Sequence, residues 1–255
     1  MVQGFGLTHR GRERSRNEDR FLTAIGPETT LLAVADGMGG HVAGDVASTL
    51  AIETVERYWK DLSAKIAGGG LSEQEIASIV ENLILEANQV IYRQASKDPA
   101  RQGMGTTLTL GLLNGLNLTI GHVGDSRGYL IADGRISLLT RDHSLLEQMI
   151  ANGLVHPGQE GEHPQRHVLT RAVGTGPRLE VDLVQRVLTG GSALLFCTDG
   201  LTSLVEDEEI LQIYLDKREP YRVASSLIEL ANLRSGIDNI TVVLLTGIGK
   251  REENS

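Results

Sequence analysis

Short apolar runs that stop at, or start from, an acidic residue organise the chain. Leu31 to Ala35 is unbroken apolar and leads into Asp36-Gly37-Met38-Gly39-Gly40. A run of that length, bounded by glycines, predicts a buried strand with a carboxylate at its end. Ala193 to Cys197 leads in the same way to Asp199-Gly200, and Leu118 to Val123 leads to Asp125. Two segments run in reverse: Glu18-Asp19 precede Phe21 to Ile25, and Asp238-Asn239 precede Ile240 to Leu245. A single Asp-Gly after a strand is an ordinary turn. If these five strands are antiparallel neighbours, however, three strand ends and two strand starts share one rim. Glu18, Asp19, Asp36, Asp125, Asp199 and Asp238 then converge there.

Between these runs the period changes. Val46, Leu50, Val55 and Tyr58 recur at helical spacing, with Ala47, Ala51 and Ile52 filling the same face. They predict a helix from His41 to Lys60, with Trp59 partly buried at its end. Ser72 and Glu75 form a capping-box signal for a second helix running to about Ala95, which Asp98-Pro99 ends. Met104 to Leu113, Asn117 to Val123, Arg127 to Ala132 and Ile136 to Leu139 predict a meander of about four strands, the last two joined by Asp133-Gly134. A short helix follows over His143 to Ala151. Val181 to Leu188 and Ser192 to Thr198 read as a strand pair, Glu206 to Tyr214 and Tyr221 to Leu233 as a second pair of helices, and Ile240 to Thr246 as the closing strand. Asn152 to Gly176, with its Gly, His and Pro, is too long for an ordinary connection and predicts a functional flap at about 152–168. Its histidines are too irregularly spaced for a soft-metal site. The order of elements predicts one α+β domain over residues 1–255. Its layers would form an αββα sandwich, two antiparallel sheets face to face with a helix pair outside each.

Composition narrows the chemistry. The chain has 255 residues, 40% hydrophobic and 22% charged, as in a soluble globular protein. A net charge of −9 argues against a nucleic-acid binder. Cys197 is the sole cysteine, so no disulfide forms within the chain, and its place in an apolar run marks it as a small buried residue. No stretch is long and apolar enough to span a membrane, and the first residues lack a secretory apolar core, so a cytoplasmic location is expected. Six carboxylates on one rim would repel one another and resist ionising together. A hard divalent cation removes that conflict, and oxygen ligands with waters suit Mg²⁺ or Mn²⁺. Arg10, Arg12, Arg14 and Arg16 crowd just before Glu18. They form either a solvated basic loop or a clamp for phosphate oxygens beside the ions.

Eight segments in order carry a resemblance: GLTHRGRERSRNEDR, VADGMGGHVAG, MGTTLT, GHVGDSRGYL, RDHSLLEQMI, RHVLTRAVG, LLFCTDGLT and DNITVVLL. Together they span Gly6 to about Leu245, and the chain resembles the metal-dependent protein serine/threonine phosphatases of type 2C in their bacterial branch. The resemblance implies hydrolysis of phosphoserine and phosphothreonine in proteins, reversing a cognate Ser/Thr kinase, by a monomer that needs no nucleic acid or membrane. It implies two Mg²⁺ or Mn²⁺ ions, with a possible third. Asp36 would bridge both and the Gly37 carbonyl would ligate one. Glu18 and Asp19 would contribute directly or through water, and Asp199 and Asp238 would hold the second ion. Asp125, with Asp199, matches the third-ion position, and Arg14 matches the phosphate-binding arginine. The chain departs from the eukaryotic pattern at Met38, where that pattern has a histidine proposed as general acid. His41, three residues on, is the candidate for that role or for shaping substrate binding. Two other readings of the same residues are a non-catalytic module on this fold, which lost acidic positions would favour, and a hydrolase of small phosphoesters or nucleotides, which the acidic rim alone does not exclude.

Overall fold

A computed structural model of the protein describes residues 2–26, 28–39, 43–155, 165 and 168–249. In chain order these form β1 (Gln3–His9), β2 (Asp19–Ile25), β3 (Thr29–Met38), α1 (Ala43–Ala67), α2 (Glu73–Lys97), β4 (Gly105–Thr106), β5 (Leu108–Asn114), β6 (Asn117–Val123), β7 (Arg127–Ala132), β8 (Arg135–Leu138), α3 (Leu145–Ala151), β9 (Asp182–Val187), β10 (Ala193–Cys197), α4 (Asp199–Thr202), α5 (Asp207–Lys217), α6 (Pro220–Arg234) and β11 (Ile240–Thr246). One sheet has the order β1-β11-β10-β7-β8. The other has β2-β3-β5-β6-β9, with β4 against the end of β3. Every strand pair is antiparallel.

Side-chain alternation stacks the layers. On β3, Leu31, Ala33 and Ala35 pack with Ala47, Val55, Ile84 and Ile91 of α1 and α2. Leu32 and Val34 point the other way, into a core shared with Leu194, Phe196, Val243 and Leu245 of β10 and β11 in the facing sheet. On that sheet, Leu195, Cys197, Val242 and Leu244 turn outward to Ile210, Val223 and Leu227 of α5 and α6. The result is the expected αββα sandwich. The capping box of α2 is formed: Ser72 Oγ accepts from the Glu75 N–H, and Glu75 Oε2 accepts from the Ser72 N–H.

Three sequence expectations are corrected. The acid-bearing strands are not all neighbours: β2, β3 and β6 lie in one sheet and β10 and β11 in the other, so the rim belongs to both sheets. The four-strand meander is split, because the chain leaves the sheet of β3, β5 and β6 after Val123 and enters the sheet of β7, β10 and β11 at Arg127. For the same reason β9 and β10 do not pair; β9 lies beside β6 and β10 between β7 and β11. In addition, α1 runs past Lys60 to Ala67 because Ile66 continues its buried face, and Trp59 is buried outright. Among the described residues, no helix is long and apolar enough to cross a membrane.

Candidate metal centre

The inward face of β3 carries Leu32 and Val34, so the next inward position, Asp36, emerges between the sheets where the apolar core ends. Its main chain is pinned from both sides. The Asp36 N–H donates to Thr107 Oγ1 (2.9 Å), and its carbonyl accepts from the Thr107 N–H (2.9 Å) and Thr106 Oγ1 (2.8 Å). Asp199 opens α4 directly after β10. Asp238 precedes β11; its Oδ1 accepts from the Asn239 N–H (2.8 Å) and its Oδ2 from Arg14 Nη2 (2.7 Å). Asp125 sits in the crossing from β6 to β7.

These residues meet. A cavity of about 590 Å³ is lined by Arg14, Glu18, Asp36, Gly37, Asp125, Asp199 and Asp238. Asp19 is the exception among the described site residues. It pairs in register with Asp36 but is fully buried and does not line the cavity. Its Oδ2 accepts from Thr198 Oγ1 (2.8 Å) and Thr241 Oγ1 (2.7 Å), both on the opposite sheet's side. Its Oδ1 is buried with no hydrogen-bond partner among the described residues. His41 lies outside the described residues, as does most of the flap, 156–164 and 166–167. At the flap's far end Leu169 lines the cavity.

Burial and mutual repulsion push Glu18, Asp19, Asp36, Asp125 and Asp238 toward their neutral form. Asp36 is held well above the usual carboxylate range by burial first, then by Asp19, Asp199, Asp125 and Asp238. Asp125 is raised by burial, then by Asp199 and Asp142. Asp238 is raised by burial and Asp199, against the pull of the Asn239 N–H and Arg14. Glu18 is also raised, chiefly by burial. Burial lifts Asp19 to about 7 even though the two threonine hydroxyls favour its ionised form.

The residues fit a divalent ion. The donor set is all oxygen, the carboxylates destabilise one another without a cation, and Asp19 Oδ1 is an unmet buried acceptor. Among the described residues, no three His, Cys, Asp or Glu side chains close on one point as a finished ligand shell. Carboxylates arranged as cavity walls suit ions that keep several waters, as Mg²⁺ does.

Sequence reasoning missed the residues that aim the site. Buried Asn239 is the foremost. Its Oδ1 accepts from the Glu18 N–H (2.7 Å), and its Nδ2 donates to the carbonyls of Arg10 and Arg16 (2.8 Å each). One side chain thus fixes the loop that carries Arg14 and Glu18. The available signal was a polar amide beside Asp238, immediately before a strand with a continuous Val242–Leu245 apolar run. Thr107, Thr198 and Thr241 were missed because a threonine in a strand reads as ordinary β-propensity.

An αββα sandwich with an oxygen-lined acidic mouth shared by its two sheets defines a divalent-metal enzyme class, and comparison with known proteins identifies which one. The family model described as protein phosphatase 2C matches residues 6–232. The serine/threonine phosphatase stp of Listeria innocua is 37% identical over 239 residues, 93% of each chain. The crystal structure of the Mycobacterium tuberculosis serine/threonine phosphatase PstP superposes with a TM-score of 0.84 at 37% identity, over 96% of this chain and 98% of that one. A structure of the PstP catalytic domain in complex with two manganese ions gives 0.81 at 36% identity, over 96% and 97%. The chain belongs to the protein phosphatase 2C family.

Proposed function

We propose that the protein removes phosphate from phosphoserine and phosphothreonine in proteins, as a metal-dependent hydrolase working at the mouth of the sandwich. The observation that carries this is a cavity into which both sheets deliver carboxylates beside Arg14. Asp36, Gly37 through its carbonyl, Glu18, Asp199 and Asp238 would hold two divalent ions, and Asp125 with Asp199 a third. Asp19 would act from beneath, by way of water or of Thr198. When bound, the ions supply an acidified water and positive charge for in-line attack on phosphorus. Arg14 reaches the cavity from an exposed loop, and its planar fork is suited to two phosphoryl oxygens at once. Asn239 holds that loop in place and so orients the phosphate relative to the carboxylates. The leaving seryl or threonyl oxygen needs a proton, and His41 is the candidate donor. Cys197 is buried in β10, where burial pushes its thiol up, so it serves packing and not attack.

The flap at 152–168 would border the bound phosphoprotein within one catalytic domain. The substrates would be targets of a cognate Ser/Thr kinase in the cytoplasm, met by the protein as a monomer. The deciding experiment is phosphate release from a phosphothreonine peptide. Release should require Mn²⁺ or Mg²⁺ and disappear in Asp36→Asn. Faster turnover of free nucleotides than of phosphopeptides would reassign the substrate, and no metal-dependent release from any phosphoester would end the proposal.

A further inference from the structure

Behind Asp125, outside the cavity, lies a polar cluster that the proposed chemistry does not use. His143 holds Gly124, the residue before Asp125, at two points: the His143 N–H donates to the Gly124 carbonyl (2.7 Å), and the Gly124 N–H donates to His143 Nδ1 (3.2 Å). An accepting Nδ1 places the ring proton on Nε2, which stands 3.1 Å from Asp182 Oδ2 and 3.3 Å from Arg171 Nη1. Arg171 Nη1 donates to Asp182 Oδ1 (2.6 Å), fixing that carboxylate. The carbonyl of His143 accepts from the Thr170 N–H (2.8 Å), at the flap's C-terminal leg. The buried ring of His122 lies against His143, centroids 4.7 Å apart. Its Nε2 donates to the Arg141 carbonyl (3.0 Å) and its Nδ1 accepts from Thr109 Oγ1 (2.8 Å). On the other side of Asp125, Ser126 Oγ shares a hydrogen bond with Thr107 Oγ1 (2.8 Å), the hydroxyl that also accepts from Asp36 N–H. Gly124 has φ +113°, a conformation that side chains rarely adopt, and His143 supplies the bonds that hold it there.

We propose that His143 is a positioning residue of the metal centre. Through its double grip on Gly124 it sets where the Asp125 carboxylate stands relative to Asp36 and Asp199, and the Asp182 carboxylate keeps its imidazole in the tautomer that can grip. The inference rests on the reading of Asp125 as an ion ligand. It adds that this ligand is aimed from a cluster outside the cavity, tied to the leg of the flap.

A double-mutant cycle between His143 and Asp125 tests this, read by Mn²⁺ titration calorimetry on chelator-treated protein and by the Mn²⁺ dependence of peptide turnover. His143→Ala should weaken the Asp125-dependent Mn²⁺ binding by roughly tenfold or more, as loss of a ligand-orienting partner does. In an Asp125→Ala background the same substitution should add nothing. His143→Asn, whose amide oxygen can replace Nδ1 as acceptor, should recover most of the loss, whereas His143→Gln should not. It also serves as the test variant if His143→Ala fails to fold. Equal effects of His143→Ala with and without Asp125, or Mn²⁺ binding unchanged in it, would overturn the inference while leaving Asp125 a ligand. An Asp125→Ala protein with unaltered Mn²⁺ binding would overturn both this inference and the reading beneath it.

Discussion

Asn239 and Asp19 show how much of the site depends on hydrogen bonds that hold its segments in place. Removing the Asn239 amide leaves the Glu18 N–H and the carbonyls of Arg10 and Arg16 without a shared partner. Asn239→Ala should therefore cost about 1–3 kcal/mol of stability and lower kcat/KM on a phosphopeptide by roughly tenfold or more. Denaturant unfolding and steady-state kinetics would check the two halves of that expectation. Asp19 makes a pH prediction with a definite sign. Its carboxyl titrates near 3.8 when unfolded and about 7 when folded. Between those values the folded protein keeps a proton that the unfolded chain has released, so stability falls as pH rises through the window. Asp36, Asp125, Asp238 and Glu18 are shifted the same way. The melting temperature of chelator-treated protein should drop between about pH 4 and about pH 7, and excess Mn²⁺ should flatten the trend. At this scale the sequence could show which residues are acidic but not which way each one faces. Glu18 and Asp19 are adjacent, yet one lines the cavity and the other lies buried beneath it. Only the register of β2 against β3, and the threonines contributed by the other sheet, separate them.

Among the elements, α2 is the clearest local statement in the chain. Its capping box was legible because the box is a three-residue rule that needs no tertiary partner. Ser72→Ala should destabilise the fold by about 1 kcal/mol and leave phosphopeptide turnover unchanged, since the cap lies outside the catalytic cavity. Denaturant midpoints together with kinetics would show it. Strand identity was legible for a similar reason: runs such as Leu31–Ala35 and Ala193–Cys197 are apolar at every position because both faces are covered. Strand partnership was not. Asp133-Gly134 correctly marks the β7–β8 hairpin, with Asp133 at φ +52°. Nothing comparable in Gly124-Asp125-Ser126 announces that the chain there changes sheets, because that crossing is held by His143, Thr107 and Thr109, all distant in sequence.

For the molecule as a whole, metal and fold are linked. An ion that binds the folded state alone stabilises it by mass action, about 2.7 kcal/mol when the free ion is at 100 times its Kd. Here it would also relieve repulsion among the cavity carboxylates. Chelator should lower the melting temperature and Mn²⁺ should restore it, while an Asp36→Asn protein should respond weakly to either; calorimetric melting would measure all three. The four layers were readable from the order of strand and helix blocks, since each apolar face must be covered. Their interleaving was not, because it rests on pairings between opposite ends of the chain. Among the described residues, β11, the last strand, lies between β1, the first, and β10. Among the described residues β1 pairs with β11 alone, so that edge of the sheet forms only once β11 is in place, and Asp238 comes with that strand. Loss of β11 would leave β1 without its partner and carry Asp238 away from the cavity, so sheet and acidic mouth would fail together.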